Sequence, residues 1–136
     1  MRRARAIAVR LAVSALAAAA LAWALTSLIS VYVGGDSMSP ALVRGDLAVV
    51  RRSIGQVHAG DIVLIAKQGW PSGVLHRVIA VTMDDRFQTR GDANPVADFD
   101  PVPRSSVLGV LVFAIPTGRV MAVLDVLARM VQSRVT

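Results

Sequence analysis

The 136-residue chain contains no cysteine. Disulfides, thiolate metal sites and a thiol nucleophile are thereby excluded, and the redox compartment leaves no mark on the sequence. Glutamate is absent too: all nine acidic residues are aspartate, and Lys67 is the sole lysine among fifteen basic residues. There are two histidines, His58 and His76. Without cysteine or a His-x-x-x-His spacing they do not read as a zinc site. Aromatic residues make up 4% of the chain, with no aromatic-basic stripe on which bases could stack. The net charge of +6 therefore does not point to nucleic acid. Arg2, Arg3, Arg5 and Arg10 hold four of the basic residues, and from Leu11 onward 11 basic residues face 9 acidic ones of mixed placement. No cofactor, metal or nucleic-acid partner is expected, and nothing calls for an obligate protein partner.

What is present is a long uncharged run over residues 11–33, LAVSALAAAALAWALTSLISVYV. As a helix it would be roughly 35 Å long, enough to cross a ~30 Å hydrocarbon core. Arginines precede it and Gly34, Gly35 and Asp36 come after it. The positive-inside rule then places residues 1–10 in the cytoplasm and the rest of the chain outside, as a single-pass protein of the plasma membrane in contact with lipid. A cleaved signal peptide is the competing reading, but its apolar core usually spans 7–15 residues.

The stretch Gly34-Gly35-Asp36-Ser37-Met38-Ser39-Pro40 comes directly after this run. Taken alone it is ordinary turn chemistry. The residues downstream of it give it more meaning. Gly45-Asp46 and Gly60-Asp61 each open a short apolar run, residues 74–82 read as a long strand, and residues 86–90 as a short one. Short β-rich runs punctuated by turns predict a small, mostly β body over residues 34–118. Residues 68–73 read as a loop carrying Trp70, either a core cap or a membrane-surface anchor. Lys67 falls at the start of that loop.

On a strand, His76 shares a face with Val74, Val78 and Ala80, while Arg77 points the other way. A histidine on an apolar face is most often a core residue, yet imidazole is the side chain best suited to take a proton from serine near neutral pH. His58 lies in a turn and reads as solvated surface. Residues 89–103 carry Asp92, Asp98 and Asp100 with three prolines, a rigid non-helical loop without the EF-hand spacing. One of these carboxylates could orient the imidazole.

These residues resemble the type I signal peptidases, in particular their Ser-His branch. Ser37-Met38-x-Pro40 matches the nucleophile box and Gly60-Asp61-Ile62-Val63 the next strand. His76-Arg77-Val78 matches the base box, where the other bacterial branch carries lysine. Thr89-Arg90-Gly91-Asp92-Ala93-Asn94 matches the Lys-Gly-Asp-Asn box. The resemblance implies a signal-peptidase-like β fold and a serine endopeptidase acting on secretory preproteins. It implies that Ser37 is the nucleophile, His76 the general base and Asp98 the third catalytic residue, with Asp92, Met38, Pro40 and Arg77 in support. Lys67 lies outside the base box. Gly35 stands where many members carry a serine, which leaves the backbone N–H of Ser37 as the surer oxyanion donor. The Gly-Asp-Ser-Met-x-Pro form also resembles the self-cleaving repressor proteases, which normally use lysine. Two other functions remain open: a non-catalytic anchored domain that binds extended peptides, and a protease dedicated to a narrow substrate class.

Residues 107–116 read as a last strand stopped by Pro116 and Gly118. Residues 119–136 read as an amphipathic helix with an Asp125–Arg129 pair, too short and charged to span a bilayer. It would lie on the membrane surface or pack on the body.

Overall fold

The structure is a computed structural model that describes residues 2–52 and 55–132. It opens with helix α1, Arg2–Thr26, whose alanine- and leucine-rich composition favours the helix. From Ile7 to Thr26 the mean hydropathy is 1.9, and this helix is long and apolar enough to cross a membrane. None of that window is buried against the rest of the chain.

The uncharged run over 11–33 is not one element. The helix begins earlier, at Arg2, and stops at Thr26, where the Thr26 and Ser27 hydroxyls donate to the carbonyls of Trp23 and Ala24. These bonds satisfy carbonyls that a helix end leaves without partners. Leu28–Tyr32 then forms strand β1, paired antiparallel with β2, Leu47–Arg51. The change of structure tracks composition. Ile29, Val31 and Tyr32 are β-branched or aromatic and favour a pleated surface.

The remaining strands are β3 (Ile62–Lys67), β4 (Trp70–Val81), β5 (Arg86–Arg90), β6 (Val102–Pro103) and β7 (Val107–Ile115). They join β1 and β2 in one sheet of order β1-β2-β7-β3-β4-β5-β6, and every neighbouring pair is antiparallel. The body is therefore mostly β, between one N-terminal apolar helix and one C-terminal helix. Residues 68–73 are largely strand and not loop. Only Gln68 and Gly69 make the turn, Trp70 opens β4, and Lys67 closes β3.

The core has two parts. Met38, Leu42, Val50, Leu64 and Leu75 pack in one cluster, and Val63, Ile65, Val78, Phe87 and Val107 in the other. On β5 Phe87 and Thr89 are inward, and Val63, opposite His76, and Val78, opposite Thr89, join Phe87 in the second cluster.

Helix α2, Thr117–Gln132, is fixed at its root. The Thr117 hydroxyl donates to the Gly45 carbonyl at 2.5 Å. The buried Asp46 carboxylate accepts from the N–H groups of Gly118 and Val43, both at 3.1 Å. The Arg119 guanidinium donates to the Pro40 carbonyl. From Arg119 onward the described side chains are exposed, including Val120, Leu124 and Leu127. Beyond that first turn no described side chain of the helix is buried against the body. Residues 133–136 lie outside the described residues.

Candidate active site

Ser37 sits in a turn pinned on both sides. Met38 is almost wholly buried and holds the turn to the first core cluster. Its carbonyl accepts the Leu42 N–H at 2.9 Å, and the Asp36 carbonyl accepts the Ser39 N–H at 3.0 Å. Ser37 itself stays half-buried. Pro40 is exposed at the surface, with its carbonyl held by Arg119. The Ser37 carbonyl accepts the Ala93 N–H at 2.8 Å. Gly91 packs so close that an added Cβ would lie 2.6 Å from that same carbonyl oxygen.

His76 and Arg77 are neighbours on β4, so the pleat sends them to opposite faces. Arg77 grips Asp92 with two bonds, Nε to Oδ1 at 2.8 Å and Nη2 to Oδ2 at 2.6 Å. Its Nη1 donates to the Gly60 carbonyl at 2.7 Å. This bidentate, charge-assisted pair ties the loop after β5 to β4. The hydrogen bonds from Arg77 hold the Asp92 carboxyl below its usual range, and Asp92 in turn raises Arg77.

His76 is buried and meets Asp98: Nδ1 lies 2.6 Å from Oδ2. An ionised carboxylate only accepts, so in this contact Nδ1 is the donor, and a ring carrying that one proton would present Nε2 as an acceptor. Nε2 makes no hydrogen bond to a described residue, and it is not a sealed, unsatisfied atom. Asp98 is held in three further ways. The Thr89 hydroxyl donates to Oδ2 at 2.6 Å, the Asp98 N–H to the Thr89 carbonyl at 2.8 Å, and the Gln88 amide to the Asp98 carbonyl at 2.6 Å.

Ser37 and His76 line one cavity of about 550 Å³. Residues 31–38 make one wall. Lys67, Trp70 and residues 72–76 make the other. Among the described residues no hydrogen bond joins the Ser37 hydroxyl to His76. Asp36 also lines the cavity and pairs with Arg44 at 3.1 Å. Asp100 lines a separate cavity of about 340 Å³ and makes no bond to His76. His58 is exposed, 3.8 Å from Asp61. Among the described residues no group of three or more potential ligands could hold a metal ion.

Two residues of this arrangement, Thr89 and Gln88, carry no signal of their own in the sequence. In the sequence Thr89 figures only as the first residue of the Thr89–Asn94 stretch, and its inward position on β5, two places from Phe87, is what aims it at Asp98. Gln88 gives no clue, because its contact is to a loop carbonyl that only the fold brings near.

A family model described as Peptidase S24-like matches residues 16–90. That stretch takes in Ser37, His76 and Thr89 and stops short of Asp92 and Asp98. The chain is also 37% identical over 76 residues to the signal peptidase complex catalytic subunit SEC11 of Komagataella phaffii. The match covers 50% of this chain and 44% of that relative, so the chain spans less than half the relative's length.

Proposed function

This chain belongs to the Peptidase S24-like family, and from that membership we propose that it is a membrane-anchored serine endopeptidase that removes signal peptides from secretory preproteins. The likeness to a signal peptidase subunit supports a type I signal peptidase. The observation that carries the finer chemistry is the 2.6 Å contact of His76 with Asp98, on a ring that shares a cavity with Ser37.

In this mechanism His76 Nε2 takes the Ser37 proton as the hydroxyl attacks a peptide carbonyl. Asp98 keeps the ring in the tautomer that can accept and stabilises the imidazolium that forms. Thr89 and Gln88 position Asp98. Arg77 and Asp92 position the loop that carries it. The oxyanion is held by backbone N–H donors, that of Ser37 among them. His76 then protonates the leaving amine, and water releases the acyl-enzyme.

Helix α1 is the anchor, with the N-terminus in the cytoplasm and the β body outside the plasma membrane. An extended peptide lying between residues 31–38 and residues 72–76 would pair with backbone on either side. The relative is a subunit of a complex, which favours partner chains for this protein as well. That runs against the expectation of no obligate partner.

Processing of a preprotein by Ser37→Ala and His76→Ala proteins tests the assignment. Both are expected to lose activity to background, and near-native activity in either overturns the role given to it. The missing hydroxyl at Gly35 favours a second reading, a domain that binds peptides without cutting them. A serine-reactive acylating probe separates the two, because a binder is not labelled at Ser37.

A further inference from the structure

The cavity extends well beyond Ser37 and His76. From Val31 to Ser37 on one wall, and from Trp70 to His76 on the other, the chain takes six steps. Only Val31 and Tyr32 of the first wall are strand, and β4 bends at Gly73, so about 3.3 Å per residue gives roughly 20 Å as the upper limit for each wall. Both walls therefore have a catalytic end and a distal end, and the distal end is formed by Val31, Tyr32, Lys67 and Trp70. Gly73 lets β4 bend midway, with φ of +74° and its Cα so near the Ile65 carbonyl that an added Cβ would lie 2.7 Å from it.

The two ends differ in charge. At the catalytic end Asp36 is the one acidic wall residue among the described residues, and Arg44 already pairs with it. At the distal end stands Lys67, exposed and bonded to none of the described residues. It also borders the smaller cavity lined by Asp98, Asp100 and Arg86, yet forms no ion pair there. Beside it, across the β3–β4 turn, Trp70 is 60% exposed. A lone ammonium next to an open indole suits a ligand that combines an acid with an apolar group.

We propose that Lys67 and Trp70 form a distal subsite that receives an acidic side chain of the substrate about six residues before the scissile bond. The inference rests on the peptidase reading above. The direction of the peptide is set by the anchor. The distal end lies along the chain toward α1, and a signal peptide's apolar segment precedes its cleavage site, so the segment upstream of the cut occupies that end. The acid meets Lys67, and Trp70 packs on the apolar residue next to it. The same acid placed beside the scissile bond gains nothing, because it faces Asp36. The subsite thus selects among preproteins and favours those with a carboxylate at this spacing.

The test uses the full-length protein in an uncharged detergent and peptides whose scissile amide is replaced by a reduced bond. Aspartate, asparagine or lysine is placed at successive positions upstream, and Kd is measured by calorimetry. The aspartate peptide is expected to bind about two- to fivefold more tightly than the asparagine one, the size of an exposed ion pair. The gain should appear only near the sixth position. Lys67→Glu should invert the ranking in favour of lysine, and Lys67→Gln should flatten it. Trp70→Ala should weaken every peptide without changing the charge ranking. An unchanged ranking in Lys67→Glu overturns the subsite, as does a preference located beside the scissile bond. Hydrolysis of the matching amide peptides is followed separately. Charge-ranked binding without hydrolysis would overturn the peptidase reading and leave the subsite standing.

Discussion

Replacing Gly91 by alanine adds one methyl group at the closest approach between two loops of the site. The new Cβ would lie 2.6 Å from the Ser37 carbonyl oxygen, 2.8 Å from Asn94 Nδ2 and 3.0 Å from Asn94 Cγ. A relaxed carbon–oxygen contact is about 3.3–3.6 Å, so roughly 0.7 Å of separation must be found. The Asn94 side chain can swing aside, but the Ser37 carbonyl cannot move alone. It is hydrogen-bonded to Ala93 N–H, two residues from the substitution, and its turn is anchored by buried Met38. The shift therefore falls on the backbone that carries the Ser37 hydroxyl. A displacement near 1 Å at a reacting group costs about 10²-fold, so kcat for peptide hydrolysis should fall about 10- to 100-fold. Overpacking of this kind costs about 1–3 kcal/mol of stability, so the protein should remain folded. Steady-state kinetics with a thermal melt on the same sample decides the matter. A kcat within about twofold of wild type, far short of the loss expected from such a displacement, would refute the claim that Gly91 sets the position of Ser37.

Two further outcomes rest on the same geometry. Asp98→Asn keeps the shape of the His76 contact but removes the acceptor that fixes the ring's proton on Nδ1, so kcat should drop by about 10⁴-fold, as when a triad aspartate is neutralised. A loss under about tenfold would remove Asp98 from the mechanism. Asp92 is a carboxyl whose folded value is depressed from 3.8 by its bonds to Arg77, so the stability it gives is complete above about pH 4 and is lost as the pH falls through the lower folded value. Asp92→Asn should therefore be less stable than wild type by about 1.5–3 kcal/mol at about pH 7. The gap should close on acidification below pH 3.8, as followed by denaturant unfolding across pH. A gap that stays constant with pH would show that the Arg77–Asp92 ion pair is not its source.

How far the sequence could be read depended on whether the relevant force was local. The apolar runs after Gly45-Asp46 and Gly60-Asp61 became β2 and β3, because alternation and turn chemistry act over a few residues. The boundary between α1 and β1 was invisible to hydropathy, since both elements are uncharged where they meet. Only the shift from alanine to Ile29, Val31 and Tyr32 marked it, and the pairing of β1 with β2 made that preference decisive. Trp70 opens a strand and not a loop because Lys67 supplies a partner across a two-residue turn, a pairing that Pro71 and Gly73 conceal. In the site, His76 and Ser37 stood out by residue type. The choice between Asp98 and Asp100 rests on two residues of loop path, and the fold decides which one lies against His76: Thr89 binds Asp98 through both backbone and side chain.

The root of α2 has one more implication. Both oxygens of Asp46 are engaged, one by the loop after Ser37 and the other by Gly118 at the start of the last helix. Severing the polypeptide after Pro116 would strand a carboxylate in the interior with half its bonding gone, on the loop that leads away from Ser37. Anyone trimming this protein for crystallisation, or fusing a reporter to its tail, would do well to keep the first turn of that helix, since the tail and the loop after Ser37 are tied together at a single buried acid.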